Sequence, residues 1–407
     1  MNTQTNYLTP ENAQGFSMRF LHVLMAVSIS IVLISCEKNG PEIITDYYTP
    51  EEYRIVTAQL DLPLDYDIYS PFEAPDRPGS PDQERDAIAT LGRVLFYDVN
   101  LSIDNTVSCG SCHRQELAFS DNVAFSDGVN GTLTTRNSIA LGVVSSFYNY
   151  ANSPSSRLFW DRRALNLHDQ MIGTLRNPNE MGMEVDYMVE KLNKLDYYQV
   201  LSKKAFGTEE MDPKMALDAL ETFMSSIVAN NTLFDAVQLK NQFVSRHGDW
   251  NGLTIEENQG KNIFMNHCAS CHKLNAVSNE SNLIAMSDAV ILQANNGLEL
   301  NYTDKGMGEA NSSPEFIGVF KIPGLRNIEL TGPYMHDGRF NTIEEVIDFY
   351  SEGIQDHPNL HPLLKENGHA KKLNLTEGDK HSLVQFLKTL TDHSMIRNEK
   401  WSDPFLL

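Results

Sequence analysis

The chain is 407 residues long and 41% hydrophobic, enough for two ordinary domains with real cores. It holds 54 acidic against 32 basic residues, a formal charge of −22. That balance argues against a nucleic-acid partner, which needs a basic face, and leaves a basic protein partner or a well-solvated surface.

The first feature in chain order is a targeting segment. From Met18 the sequence reads MRFLHVLMAVSISIVLISCEKNG. Arg19 supplies a positive start, residues 23–34 form a short apolar run, and LISC ends at Cys36. This pattern resembles a bacterial lipoprotein signal, with residues 1–35 a leader and signal peptide and Cys36 the lipidated mature N-terminus. The rival reading, a transmembrane anchor, has a run that is short for a span. Residues 36–84, polar and Pro-containing, read as a tether and N-terminal extension. The expected location is the periplasm or cell envelope, at a membrane through a lipid anchor.

Ser80-Pro81-Asp82-Gln83 offers an N-cap with Pro at the first helical position, and LGRVLFY (91–97) reads as the end of that helix. CGSCH follows at 109–113. The pattern returns later: Thr254 and Glu257 form a capping-box pair, QGKNIFM (259–265) ends a helix, and CASCH stands at 268–272. The two frames use Cys109, Cys112, Cys268 and Cys271, every cysteine left after Cys36. C-x-x-C-H is the attachment motif of a c-type haem. Two thiols one helical turn apart can each form a thioether with a haem vinyl group, and the adjacent His113 or His272 then lies under the iron. A zinc site or disulfides would not explain why His follows directly both times. Strand signals are sparse. The expected fold is mainly α: two cytochrome-c-like haem domains with irregular loops and few strands. The first would span 85–248, the second 249–395, and 396–407 would be a C-terminal tail.

Residues 114–136 contain no His and no Met, so the first haem has no obvious local sixth ligand. The stretch LFWDRRALNLHDQMIGTLRNPNEMGM (158–183) carries Trp160, Gln170 and Glu180. On their own these read as a core tryptophan, a surface amide and a helix-start carboxylate near Pro178. Near the end, TGPYMHDGRFNTIEEVIDFY (331–350) places Met335, His336 and Tyr350 close together, all of them able to bind iron. Thr342 and Glu345 form another capping box, and Ile343, Val346, Ile347 and Tyr350 share one face at helical spacing. That face delivers Tyr350 inward, as an iron ligand or as a core tyrosine with its hydroxyl bonded.

From about residue 85 to 392 the sequence resembles the bacterial di-haem cytochrome c peroxidases and their relatives of the MauG type. The likeness rests on both CxxCH motifs, RNS (136–138), FWDRRA (159–164), NPNEMG (177–182) and LRNIELTGPYMHDGRF (325–340), in that order. It implies that Glu180 is the catalytic carboxylate beside the first haem, moving a proton between the peroxide oxygens. It implies that Gln170 lies in the same pocket and that Trp160 bridges the two haems. Asn137, with the carbonyls of Thr331 and Pro333, matches a calcium site between the domains, where oxygen donors suit a hard cation. His336 matches a histidine that lies near the second haem without being its usual ligand, and Met335 stands in an aromatic slot. The peroxidase branch places a Met ligand fourteen residues after that histidine; here the position is Tyr350, the pattern of the MauG-like branch. A tyrosinate is hard and anionic and favours oxidised iron, where a thioether favours reduced iron.

The implied activity is reduction of hydrogen peroxide at the first haem, with electrons from a small cytochrome c or similar carrier passing through the second. The alternative is a maturase that uses the same oxidising power on side chains of a partner protein. A third expectation, from another class, is an electron-transfer cytochrome with both irons capped.

Overall fold

The computed structural model describes residues 48–62, 83–142, 157–241, 243–272 and 292–405. Cys36 and the expected cap at Ser80-Pro81 lie outside the described residues. Among the described residues helices dominate, and no helix is long and apolar enough to cross a membrane.

Caps set the helix starts. α1 (Pro50–Thr57) begins with Pro behind Thr49, whose hydroxyl closes a capping box with Glu52. α2 (Gln83–Tyr97) carries the first repeated segment. After the first CxxCH come α3 (Leu167–Arg176), α4 (Val185–Leu192), α5 (Asp196–Phe206) and α6 (Pro213–Ser226). α7 (Leu233–Lys240) is capped by Thr232 and Asp235. α8 (Ile255–His267) and α9 (Ile343–Asp348) start at the boxes read from the sequence, Thr254 with Glu257 and Thr342 with Glu345. α10 (Glu377–Lys388) follows. The described strands are two residues each: β1 (Gln293–Ala294) pairs antiparallel with β2 (Phe320–Lys321), and β3 (Lys365–Glu366) with β4 (His369–Ala370).

The repeated segments have a packing reason. A Cβ on Gly92 of α2 would lie 1.9 Å from the Ala219 carbonyl oxygen of α6 and 2.9 Å from the Phe223 Cβ. A Cβ on Gly260 of α8 would lie 1.9 Å from the Ser382 carbonyl oxygen of α10 and 2.8 Å from the Phe386 Cβ. Glycine within a helix costs about 1 kcal/mol against alanine, and here it lets two backbones touch. Four residues beyond each glycine a phenylalanine continues the contact. Phe96 meets Phe223 at 5.3 Å between ring centroids, and Phe264 meets Phe386 at 5.4 Å. One helix crossing is thus built twice.

Each crossing anchors a hydrophobic cluster. The first draws Leu91, Phe96, Met188, Tyr198, Leu220 and Phe223 from α2 and α4–α6. The second draws Phe234, Phe264, Ile347, Leu383 and Phe386 from α7–α10. The chain end, read from sequence as a tail, returns to the first cluster with Met395 and Trp401 buried. The Trp401 indole donates to Ser226 Oγ at 3.1 Å, and the Tyr97 hydroxyl donates to the Trp401 carbonyl at 2.6 Å. On α7, beside the second cluster, Asp235 accepts both Arg326 amines, at 2.7 and 2.6 Å, with both side chains buried. Burial pushes the Asp235 carboxyl up, but the Arg326 bonds and charge and the Thr232 bonds outweigh it and hold it below its ordinary value.

Candidate functional site

Cys109–Cys112 form a single helical turn behind Ser108. Gly110 inside it packs against the Tyr97 ring, where a Cβ would come within 2.5 Å. His113 follows, and its Nδ1 is 3.0 Å from the Phe119 carbonyl oxygen. Ala118 and Phe119 both adopt left-handed backbone (φ 56° and 59°), which turns that carbonyl towards the ring. A carbonyl can only accept, so Nδ1 carries the proton and Nε2 keeps a lone pair, as in metal-ligating histidines. Burial lowers the His113 pKa and favours this neutral form. Burial likewise pushes the thiols of Cys109 and Cys112 up to about 12 and about 11. Neither cysteine is in a disulfide.

These residues open onto a cavity of about 530 Å³ that also exposes Gln170, Thr174 and Glu180. Its apolar wall includes Phe96, Leu175 and three methionines, Met171, Met181 and Met224, all outside residues 114–136. Glu180 sits in a turn after α3, with its N–H donating to the Asn177 carbonyl at 3.0 Å. The Asn177 amide donates to Glu180 Oε1 at 2.7 Å. Thr174 also bonds the carboxylate, and Gln170 donates to Thr174 Oγ1 at 3.0 Å. Gln170 therefore acts on Glu180 through Thr174. Burial raises the Glu180 pKa, and the bonds from Asn177 and Thr174 and the Arg163 charge oppose it without cancelling it. The sequence offered a signal for Asn177, an Asn three residues before the carboxylate in a Pro-containing turn; it offered none for Thr174.

Trp160 lines this cavity and a second one. Its indole donates to the Asn137 carbonyl at 2.9 Å, and its own carbonyl accepts from the Lys321 N–H at 2.7 Å. Beside it Arg136 is held by three bonds, one to Asp161 at 2.7 Å and two to Asp304 at 2.6 and 2.8 Å. This cluster was not read from the sequence, because its members lie far apart along the chain.

The second cavity, of about 260 Å³, holds Cys268, Cys271 and His272. His272 repeats the first arrangement: Nδ1 faces the Pro323 carbonyl at 3.2 Å, and burial depresses the ring to about 4. Ile343, Val346, Ile347 and Tyr350 all line this cavity, as the stripe predicts. Tyr350 falls in the wide turn Phe349–Gly353 that continues α9. Asn296 donates to its hydroxyl at 3.3 Å and reaches Met335 Sδ at 3.7 Å. Burial pushes the Tyr350 phenol up to about 12. Met335 and His336 line the same space, and His336 stacks on Phe320 at 3.9 Å. Asn137, Thr331 and Pro333 also line this cavity, and the Asn137 amide donates to the Val123 carbonyl at 3.0 Å.

The apolar walls, paired thiols and neutral imidazoles with a fixed Nδ1 fit a covalently held haem at each motif. They do not fit zinc. Among the described residues the one close group of three or more His, Cys, Asp and Glu donors is His168, Asp218 and Glu221, which contains no residue of either motif.

Residues 86–242 match the family described as di-haem cytochrome c peroxidase. The chain is 30% identical to the methylamine utilization protein MauG of Methylorubrum extorquens over 303 residues, 74% of this chain and 77% of that one. It is also 30% identical to the cytochrome c551 peroxidase of Nitrosomonas europaea over 309 residues, 75% of this chain and 80% of that one. A solved MauG-like protein associated with microbial copper homeostasis is 31% identical, with a TM-score of 0.63 over 81% of this chain and 95% of that one. The likeness thus runs through sequence and fold alike over about three quarters of the chain, and the chain belongs to the di-haem cytochrome c peroxidase family, a membership that implies two c-type haems.

Proposed function

We propose that this protein reduces hydrogen peroxide to water in the first cavity, with electrons from a small cytochrome c or similar carrier entering through the second. The observation that carries the reading is the buried Glu180 carboxylate in the same cavity as Cys109, Cys112 and His113. When bound, the haems supply redox-active iron, with His113 as ligand in the first cavity and His272 and Tyr350 in the second. Glu180 takes a proton from one peroxide oxygen and returns it to the other, which leaves as water. Two electrons and two protons complete the second water. Asn177 and Thr174 hold the carboxylate towards the cavity, Gln170 orients Thr174, and Trp160 gives electrons an aromatic route between the cavities. A cytochrome with both irons capped has no use for such a carboxylate.

The same reading assigns residues 85–248 and 249–395 to two haem domains and gives Asn137, Thr331 and Pro333 a calcium ion completed by water. Cys36 would hold the protein to a membrane on its periplasmic side. The test is peroxide-dependent oxidation of reduced small cytochrome c by the as-purified ferric protein. Turnover lost in Glu180→Gln supports the reading; equal turnover in that variant overturns it.

Tyr350 favours a second reading, in which the oxidising equivalents modify side chains of a partner protein. A tyrosinate ligand stabilises oxidised iron and suits sharing of oxidising equivalents better than storage of an electron. Negligible cytochrome oxidation that Tyr350→Met restores would favour this reading.

A further inference from the structure

His168 on α3 and Asp218 and Glu221 on α6 face one another where the two helices meet, and the fold and haem chemistry give them no task. Their donor atoms all lie within 4.8 Å of one another. His168 Nε2 is 2.8 Å from Glu221 Oε2 and 3.4 Å from Asp218 Oδ1. That nitrogen is closed off from solvent and faces both carboxylates. The three side chains are 29%, 32% and 22% exposed, so one side of the group is open to water.

We propose that His168, Asp218 and Glu221 form a site for a divalent transition-metal ion of the zinc type, which clamps α3 to α6. With metal–ligand bonds of roughly 2.0–2.2 Å, two donors stand about 2.9 Å apart at a right angle and about 3.4 Å apart at a tetrahedral one. The separations of 2.8 and 3.4 Å from His168 Nε2 match those two geometries. Asp218 and Glu221 are one turn apart on α6 and present their oxygens to the same side. Lys214 bonds the other Asp218 oxygen, Oδ2, at 2.5 Å, which leaves Oδ1 towards the imidazole. One imidazole with two carboxylates selects a zinc-like ion over calcium or magnesium, which take oxygen donors alone. Water on the exposed side would complete the coordination. The competing arrangement is an ion pair of protonated His168 with Glu221, and the Glu221 and Asp218 carboxylates do raise the His168 pKa. Proton and metal compete for the same nitrogen.

The site has a structural consequence. α3 carries Gln170 and Thr174, and α6 carries Leu220 and Met224, all of them on the wall of the first cavity. An ion joining the two helices would fix that wall from behind without touching it.

The experiment is equilibrium dialysis of the holoprotein, haems in place, against zinc near pH 7.5, with bound zinc counted per chain by elemental analysis. His168→Ala and the near-isosteric Glu221→Gln are measured alongside, with their haem spectra as a check on folding. The expected result is one zinc per chain in the wild type, with affinity at least tenfold weaker in both variants. Failure of the wild type to retain zinc overturns the site, as does equal affinity in either correctly folded variant. Calcium in tenfold excess should not displace the ion, and displacement would overturn the zinc-type assignment.

Discussion

The Asn296 amide donates to the Tyr350 hydroxyl at 3.3 Å, a hydrogen bond between residues 54 apart in the chain. An amide N–H stabilises a phenolate oxygen and draws electron density from it. If Tyr350 binds the second iron, losing that bond makes it a stronger donor and stabilises oxidised iron. Asn296→Ala should therefore lower the potential of one haem. A bond worth about 1 kcal/mol corresponds to roughly 40 mV for one electron. Spectroelectrochemical titration reads the shift. A potential unmoved in both Asn296→Ala and Tyr350→Met would remove Tyr350 from the iron.

Glu180 makes a prediction about pH. Burial raises its pKa, so peroxide reduction should fall on the acid side with an apparent pKa above 4.5. Thr174 bonds the ionised form and opposes that rise. Thr174→Val should move the acid limb to higher pH, whereas Glu180→Gln should cut kcat/KM by roughly 10²–10⁴ and abolish the limb. The pH profile of kcat/KM separates the two.

The same raised pKa carries a stability cost with a definite sign. A carboxyl whose folded pKa exceeds its unfolded value makes folding less favourable as pH rises through that interval and beyond. Glu180→Gln, which cannot ionise, should therefore raise Tm at pH 7 while it removes activity, and the gain should vanish near pH 4. Thermal unfolding at the two pH values checks this.

Asp235 runs the other way. Its carboxyl is held below its ordinary value, so the Arg326 pair contributes stability above the unfolded pKa near 3.9 and loses it as pH falls through the lower folded pKa. At pH 7 Arg326→Met leaves a buried carboxylate without its main partner and should cost about 3–5 kcal/mol. Below pH 3 the difference from wild type should shrink. Denaturant titration at both pH values measures it.

Gly92→Ala and Gly260→Ala should each destabilise by about 3 kcal/mol despite the higher helix propensity of alanine, because a methyl cannot occupy a point 1.9 Å from a carbonyl oxygen. Gly207→Ala is a contrasting control: its left-handed backbone (φ 74°) is strained for alanine, but nothing lies within 4 Å, so its cost should stay near 1 kcal/mol.

Much of the site was legible because its chemistry is local. Both CxxCH frames, the boxes at Thr254 and Thr342, and the stripe ending in Tyr350 depend on spacings of one to four residues, and the structure keeps them. What escaped is made by folding. Asn296 reaches Tyr350 from 54 residues away, and Arg136 meets Asp304 across 168. The left-handed pair Ala118–Phe119 that fixes His113 contains no glycine to announce it. The return of the chain end to the first cluster was not legible either, because polar residues surround Met395 and Trp401, the side chains that carry it there. Gly92 and Gly260 were visible as a repeat, but a glycine inside a helix signals a close neighbour without naming it.

The doubled crossing also bears on how such a chain can change over time. At Gly92 and Gly260 every other amino acid must push two backbones apart, so drift at either position meets a steep barrier. The loops beyond the crossings take no part in that helix contact. The carboxylate at 180 lies in one such loop, and the tyrosine at 350 lies in a widened turn at a helix end. A crossing built twice can therefore keep its frame while the segments beyond it differ, a tight turn holding Glu180 after one and a widened helix end holding Tyr350 near the other.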